Sequence, residues 1–187
     1  MAEKVAEKGA KLQLTRMPFG IVTFNKDTIM TLRTEYHITG SMAGCHPIMP
    51  HQSRHRGVPL LLMNEEVTLL RELEVVEFSG GWDYPENERD KLCYQIYKSL
   101  WKEGYYITEG SKFGGDYLAY PDDPIRVHST HVVVVKEGCE LFTPRDLIGG
   151  GRVANKTNKN LLYATLDENG IPNYISVEWS GLVGSEK

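Results

Sequence analysis

The sequence predicts an α+β chain in two parts, a small mixed α/β amino-terminal domain and a carboxy-terminal domain built on a mixed sheet flanked by helices. Three observations carry the carboxy-terminal part and the division. Leu92, Ile96 and Leu100 recur every four residues, the apolar stripe of an amphipathic helix. A series of short apolar runs follows it, at 105–108, 117–120, 132–135, 161–166 and 174–179, with one further helix start among them. The stretch 79–87 holds Gly80, Gly81 and Pro85 and separates this half from what precedes it. The predicted organisation is a tail at 1–18, a domain at 19–78, a linker at 79–87 and a second domain at 88–187. A chain of 187 residues holds two small domains or one ample one.

Taken in order, Asn25 before 26–35 predicts a capped helix. Asn64 predicts a second cap, for a helix to about Leu73 with Val67 and Leu70 on one face. Between them, 42–57 is rich in Gly, Pro and His and reads as a loop. The helix bearing Leu92, Ile96 and Leu100 should end at Gly104. Thr143-Pro144-Arg145-Asp146 is a helix start, with a capping hydroxyl, a proline in the first turn and an acid near the positive end. The runs 161–166 and 174–179 should form a hairpin around Asp167-Glu168-Asn169-Gly170.

Composition excludes several classes. A hydrophobic fraction of 41% and a charged fraction of 25% are those of an ordinary globular protein. No apolar run approaches the length of a membrane span, and the polar start 1–11 lacks the apolar core of a signal peptide. Cys45, Cys93 and Cys139 form an odd, scattered set, expected of reduced thiols inside a cell. A net charge of −4 argues against a protein that coats nucleic acid non-specifically. One local window differs: no acid falls between Asp146 and Asp167, whereas Arg152, Lys156 and Lys159 do.

The chemistry-bearing tract is Tyr120-Pro121-Asp122-Asp123-Pro124-Ile125-Arg126-Val127-His128. Its two prolines limit the backbone to extended and turn conformations, so it reads as a rigid loop leading into a strand. A phenol, an imidazole and an ammonium such as that of Lys159 suffice for ribonuclease chemistry without a metal. One takes the 2′-hydroxyl proton, one protonates the leaving 5′-oxygen and one holds the charge on the phosphate. Each residue alone is ordinary, and Tyr117 and His131 compete for the same roles. Spacing alone does not choose between the pairs.

The wider segment Gly110-Ser-Lys-Phe-Gly-Gly-Asp-Tyr-Leu-Ala-Tyr-Pro-Asp-Asp-Pro-Ile-Arg-Val-His128 resembles the signature of the tRNA-intron endonucleases. The likeness is strongest to the smaller catalytic subunits of the eukaryotic tRNA-splicing endonucleases, which cut at the 3′ splice site. Gly151-Arg152 with Lys159 before Leu161-Leu162-Tyr163 is similar to the family's lysine segment, and 174–179 resembles its last strand. Gly40-Ser41-Met42-Ala43-Gly44 and the run from Gly57 to Glu66 look like that subunit's first domain, so the resemblance spans about 19–182.

The resemblance implies Tyr120 as general base, His128 as general acid and Lys159 as the cation stabilising the phosphorane. A free phenol, with a pKa of about 10, needs a neighbouring cation to act as a base, and Lys159 is the candidate. It implies no cofactor and no metal, and products with a 2′,3′-cyclic phosphate and a 5′-hydroxyl. It also implies that Arg152 and Trp179 sandwich a bulged base at the cut made by a second catalytic subunit. The expected partners are intron-containing pre-tRNA, that second catalytic subunit and two structural subunits, in the nucleus and away from membranes. A silent scaffold or RNA-binding subunit of the same complex is the alternative, and the intact Tyr120, His128 and Lys159 set argues against it. One departure is Asp122, where the family commonly has Gly; a turn of positive φ there would favour glycine.

Two rival chemistries fit less well. A restriction-type metal nuclease would use Asp122 and Lys136 with an acid two residues before the lysine, where Val134 stands. A zinc site from Cys45, His46, His51 and His55 would need adjacent Cys45 and His46 to reach one ion, and the tract has no paired Cys-x-x-Cys.

Overall fold

The computed structural model describes residues 11–44, 56–138 and 143–178. The described residues fall into two compact units, one of residues up to Leu32 and from Gly40 to Tyr84, the other of Arg33–Thr39 and the residues from Pro85 onward. The division therefore falls inside the first helix, and 33–39 cluster with the second unit.

In the first unit, β2 (Thr15–Met17), β3 (Gly20–Thr23), β4 (Ser41–Gly44) and β5 (Gly57–Leu61) form an antiparallel sheet in the order β2-β3-β5-β4. A short parallel pair joins β1 (Leu12–Gln13) to β6 (Val76–Glu77). Helix α1 (Lys26–Glu35) is capped as expected, because Asn25 Oδ1 accepts the N–H groups of Asp27 and Thr28 at 2.8 and 3.2 Å. Helix α2 (Asn64–Glu72) corrects one expectation: Met63, not Asn64, is its N-cap. Glu66 reaches back to accept the Met63 N–H at 2.8 Å, the side-chain half of a capping box. Ile21, Val22, Leu60, Leu69 and Leu70 fill this unit's interior. The expected loop at 42–57 is also corrected at both ends, since its first residues belong to β4 and Gly57 opens β5.

The second unit contains α3 (Glu88–Lys102), β7 (Tyr106–Glu109), β8 (Tyr117–Tyr120), β9 (His131–Val135), α4 (Pro144–Lys156), β10 (Asn160–Leu166) and β11 (Pro172–Val177). Its sheet has the order β11-β10-β9-β8-β7 and is mixed as predicted: β9 and β10 run parallel, the other neighbours antiparallel. Parallel neighbours need a crossover, and α4 supplies it. Asn87 caps α3 through its side chain, which accepts the Asp90 N–H at 2.9 Å. Thr143 caps α4 with Asp146 answering, and Pro144 stands in the first turn. The hairpin between β10 and β11 turns at Asp167, whose N–H donates to Ile171 O at 2.9 Å.

The helices cover opposite faces of this sheet. Strand side chains alternate between faces, so Leu118 and Tyr120, Val132 and Val134, and Leu161 and Tyr163 share one face. There Leu118, Val132, Leu161 and Tyr163 pack with Ala154 of α4 into a buried cluster. A Cβ on Gly150 would come within 2.7 Å of Leu161 Cδ2, so the helix sits this close because that position carries no side chain. The other face belongs to α3, where Ile96, Tyr97 and Leu100 are buried and Tyr97 meets Tyr117 edge to face with centroids 5.9 Å apart. Among the described residues no helix is long and apolar enough to cross a membrane.

Candidate active site

The sheet register gathers the three segments of interest at one end. Because β8 and β9 are antiparallel and β9 and β10 parallel, the end of β8 lies beside the starts of β9 and β10. The ladder continues past the strands: Thr130 N–H donates to Ala119 O at 3.0 Å, and Asn160 N–H donates to Thr130 O at 2.9 Å. Tyr120 follows Ala119, His128 lies two before Thr130 and Lys159 precedes Asn160. The pleat also separates Tyr120 from the competing Tyr117 and His131. Tyr120 packs against the cluster beneath α4. Tyr117 and His131, one position out of phase with Leu118 and Val132, point to the opposite face. Tyr117 is only 4% exposed. The His131 ring stands edge-on to Tyr105 with centroids 6.0 Å apart, its Nδ1 is 2.8 Å from Thr130 Oγ1, and burial pushes its pKa down.

Lys159 is set by the end of α4. Lys159 N–H donates to Ala154 O at 2.9 Å and Asn158 N–H to Asn155 O at 3.0 Å, a Schellman closure with Asn158 at φ 53°. Asparagine tolerates that left-handed conformation better than most residues, so the chain reverses there and Lys159 emerges at the foot of β10. Its Nζ donates to Thr157 O at 3.2 Å and lies 5.2 Å from the centroid of the Phe113 ring.

Phe113 belongs to the segment Lys112-Phe113-Gly114-Gly115-Asp116, and the fold explains most of that segment. Gly114 has φ 77°, and a Cβ on Gly115 would come within 2.6 Å of Val132 Cγ1 and 2.7 Å of Val133 O. Asp116 ties the turn down, accepting Val135 N–H at 2.7 Å and an Arg89 N–H at 2.8 Å. Arg89 reaches on to Val135 O at 2.8 Å. Phe113 itself packs against the same buried cluster as Tyr120, so the ring under Lys159 and the phenol of Tyr120 share one support.

The loop from Pro121 to Ser129 carries His128 exposed near its end. It is held mainly by Asp123, whose carbonyl accepts Arg126 N–H at 2.8 Å and whose Oδ1 accepts Ile125 N–H at 2.8 Å. Asp122 needs no left-handed backbone: the positive-φ residues other than glycine among those described are His37, Glu74 and Asn158. Its Oδ1 accepts the Asp123 N–H at 2.7 Å.

Arg152 is exposed on α4, whereas Trp179 lies outside the described residues, as do Cys45, His46, His51 and His55. Val134, where a restriction-type site would need an acid, packs against the apolar cluster. Sequence reasoning missed the Arg33–Asp123 pair, which has no local signal, and gave Phe113 no role although it stands in the motif that carries the resemblance.

This arrangement defines a mixed-sheet domain with titratable groups at one sheet end. Residues 91–174 match the family model described as tRNA intron endonuclease, catalytic C-terminal domain. Residues 20–79 match the model described as TSEN34-like, N-terminal domain. The second unit thus carries a tRNA intron endonuclease catalytic domain and the first a TSEN34-like amino-terminal domain. It is 32% identical over 104 residues to the mouse protein named tRNA-splicing endonuclease subunit Sen34, covering 56% of this chain and 33% of that one. The human protein of the same name matches at 32% over 104 residues, 56% of this chain and 34% of that protein. A tRNA-splicing endonuclease of the archaeon Saccharolobus islandicus is 30% identical over 109 residues, 57% of this chain and 60% of that protein. The match thus spans about a third of the length of the two mammalian relatives.

Proposed function

We propose that this chain is a catalytic subunit of a tRNA-splicing endonuclease that cleaves pre-tRNA at the 3′ splice site. The observation supporting this reading is the ladder Ala119–Thr130–Asn160, which brings the segments bearing Tyr120, His128 and Lys159 to one end of the sheet, where Tyr120 and the Phe113 ring near the Lys159 ammonium pack on one cluster. The catalytic-domain match and the likeness to tRNA-splicing endonuclease proteins supply the substrate class.

In this mechanism Tyr120 takes the proton of the 2′-hydroxyl before the cut. The 2′-oxygen then attacks the adjacent phosphorus, Lys159 stabilises the negative charge of the phosphorane, and His128 protonates the departing 5′-oxygen. The products are a 2′,3′-cyclic phosphate and a 5′-hydroxyl. Base, acid and charge stabilisation all come from side chains, which leaves no step for a divalent cation. Arg152 and Trp179 hold a bulged base by stacking it between a guanidinium and an indole, at the cut made by the second catalytic subunit.

The chain works inside a nuclear heteromeric complex with a second catalytic subunit and two structural subunits. Strand β11 lies at the edge of its sheet with Ile175 55% exposed, a surface suited to pairing with a partner's strand. A net charge of −4 also gives one chain little surface for gripping a whole tRNA. The test is to assay intron-containing pre-tRNA with this chain alone and with the co-expressed complex, in excess EDTA with spermidine keeping the tRNA folded. The complex should cut and leave cyclic phosphate ends while the single chain does not. Accurate cutting at both sites by the monomer, or an absolute need for a divalent ion, would overturn the proposal.

A further inference from the structure

Arg33, in the last turn of α1, makes a two-point ion pair with Asp123: Nε to Oδ2 at 2.6 Å and Nη2 to Oδ1 at 2.6 Å. The two side chains are 18% and 15% exposed, so the pair is largely withdrawn from water. Asp123 is the residue around which the loop from Tyr120 to His128 folds, through Ile125 N–H on its carboxylate and Arg126 and Val127 N–H on its carbonyl. Ile125 of that loop is 79% exposed.

The arginine, in contrast, is held by a stitched segment. Arg33 O accepts the Tyr106 hydroxyl at 3.4 Å, and the His37 ring stacks on Tyr106 with centroids 4.6 Å apart. Tyr36 O accepts Trp101 Nε1 at 2.6 Å, and Thr39 Oγ1 donates to Ile107 O at 3.3 Å. Segment 33–39 is thereby fastened to α3 and β7 of its own unit, and from that base a rigid guanidinium fork fixes both oxygens of Asp123.

We infer that Arg33 is a positioning residue for RNA cleavage: through Asp123 it sets the loop that places the His128 imidazole against the leaving oxygen. The inference rests on the proposed cleavage reaction. A purely structural ion pair would leave the chemical step alone once the protein had folded. A positioning role places the cost in kcat, because general acid catalysis is sensitive to sub-ångström placement of the proton donor.

The experiment measures single-turnover cleavage of pre-tRNA by the assembled endonuclease carrying Arg33→Ala, Arg33→Lys, Asp123→Asn, or the charge exchange R33D with D123R. With the unmodified complex cutting at both junctions, Arg33→Ala and Asp123→Asn should slow the 3′ cut at least tenfold. The KM should stay within about twofold and the 5′ cut should be unchanged. Arg33→Lys should fall short of full activity, since it keeps the charge but not the two-point geometry, and the exchange should recover much of the loss. Where Arg33→Ala does not assemble, Arg33→Lys and Asp123→Asn carry the test. Variants that melt earlier yet keep the full rate of the 3′ cut would overturn the inference. Failure of the unmodified complex to cut would instead strike the proposed function.

Discussion

The Lys159 ammonium lies 5.2 Å from the centroid of the Phe113 ring, although the two residues sit in different segments of the domain. The ring packs on the buried cluster, and the Schellman turn at Asn158 delivers the lysine onto it. A cation over an aromatic face is held with about 0.5–1 kcal/mol at a partly exposed site. Replacing Phe113 by Leu keeps an apolar contact and removes the ring's negative face. The 3′ cut should slow roughly two- to fivefold, which is that energy converted to a rate. Single-turnover kinetics in the complex checks this, and an unchanged rate would show that the ring does not hold the catalytic rotamer.

Face parity separates Tyr120, proposed as the general base, from Tyr117 and His131. Tyr120→Phe and Lys159→Ala should each slow cleavage by about 100-fold or more, the usual scale for losing a general base or a charge stabiliser. Tyr117→Phe and His131→Gln should cost no more than a few-fold, because both residues lie on the α3 face. The reverse pattern in the same kinetic assay would exchange the assignments.

The Arg33 guanidinium, by hydrogen bonding, holds the Asp123 carboxyl well below its ordinary value of 3.8, at about 2. A folded-state pKa lowered in this way adds stability that is complete above pH about 3.8 and disappears as the pH falls through about 2. Urea unfolding between pH 5 and pH 2 should therefore show a steeper loss of stability for the unmodified chain than for Asp123→Asn. Identical slopes would mean that the pair is not formed in solution.

The carboxy-terminal sheet was legible because its strands are runs of β-branched and aromatic residues, as in His131–Val135, bounded by turns. Helix α4 announced itself through Thr143, Pro144 and Asp146. The first unit hid its strands, which run from two to five residues and include Gly20, Gly57 and Pro59, too short for an alternating pattern to stand out. Asn64 drew the helix start one residue late because its side-chain type favours caps, while Glu66 did the capping from inside the helix. The order of Tyr120, His128 and Lys159 was readable through family resemblance, but their common sheet end follows from a register that no local pattern encodes. The Arg33–Asp123 pair joins residues 90 positions apart, and long-range ion pairs leave no periodic trace.

Arg152 is exposed on α4, whereas Ala154 of the same helix is buried against the sheet. In the complex, Arg152→Ala should weaken the 5′ cut by roughly tenfold, corresponding to about 1–2 kcal/mol of lost stacking, and leave the 3′ cut within a few-fold. Primer extension across both junctions gives the two rates. A selective loss of the 3′ cut would place Arg152 in this chain's own site.

The most direct measurement maps both ends of every fragment released from pre-tRNA by the complex carrying His128→Ala in this chain. Loss of the 3′ cut with the 5′ cut retained should yield a 5′ exon ending in a 2′,3′-cyclic phosphate and an uncleaved intron–3′ exon intermediate. Normal cleavage at the 3′ junction, or loss confined to the 5′ junction, would contradict the assignment of His128 as the general acid at the 3′ splice site.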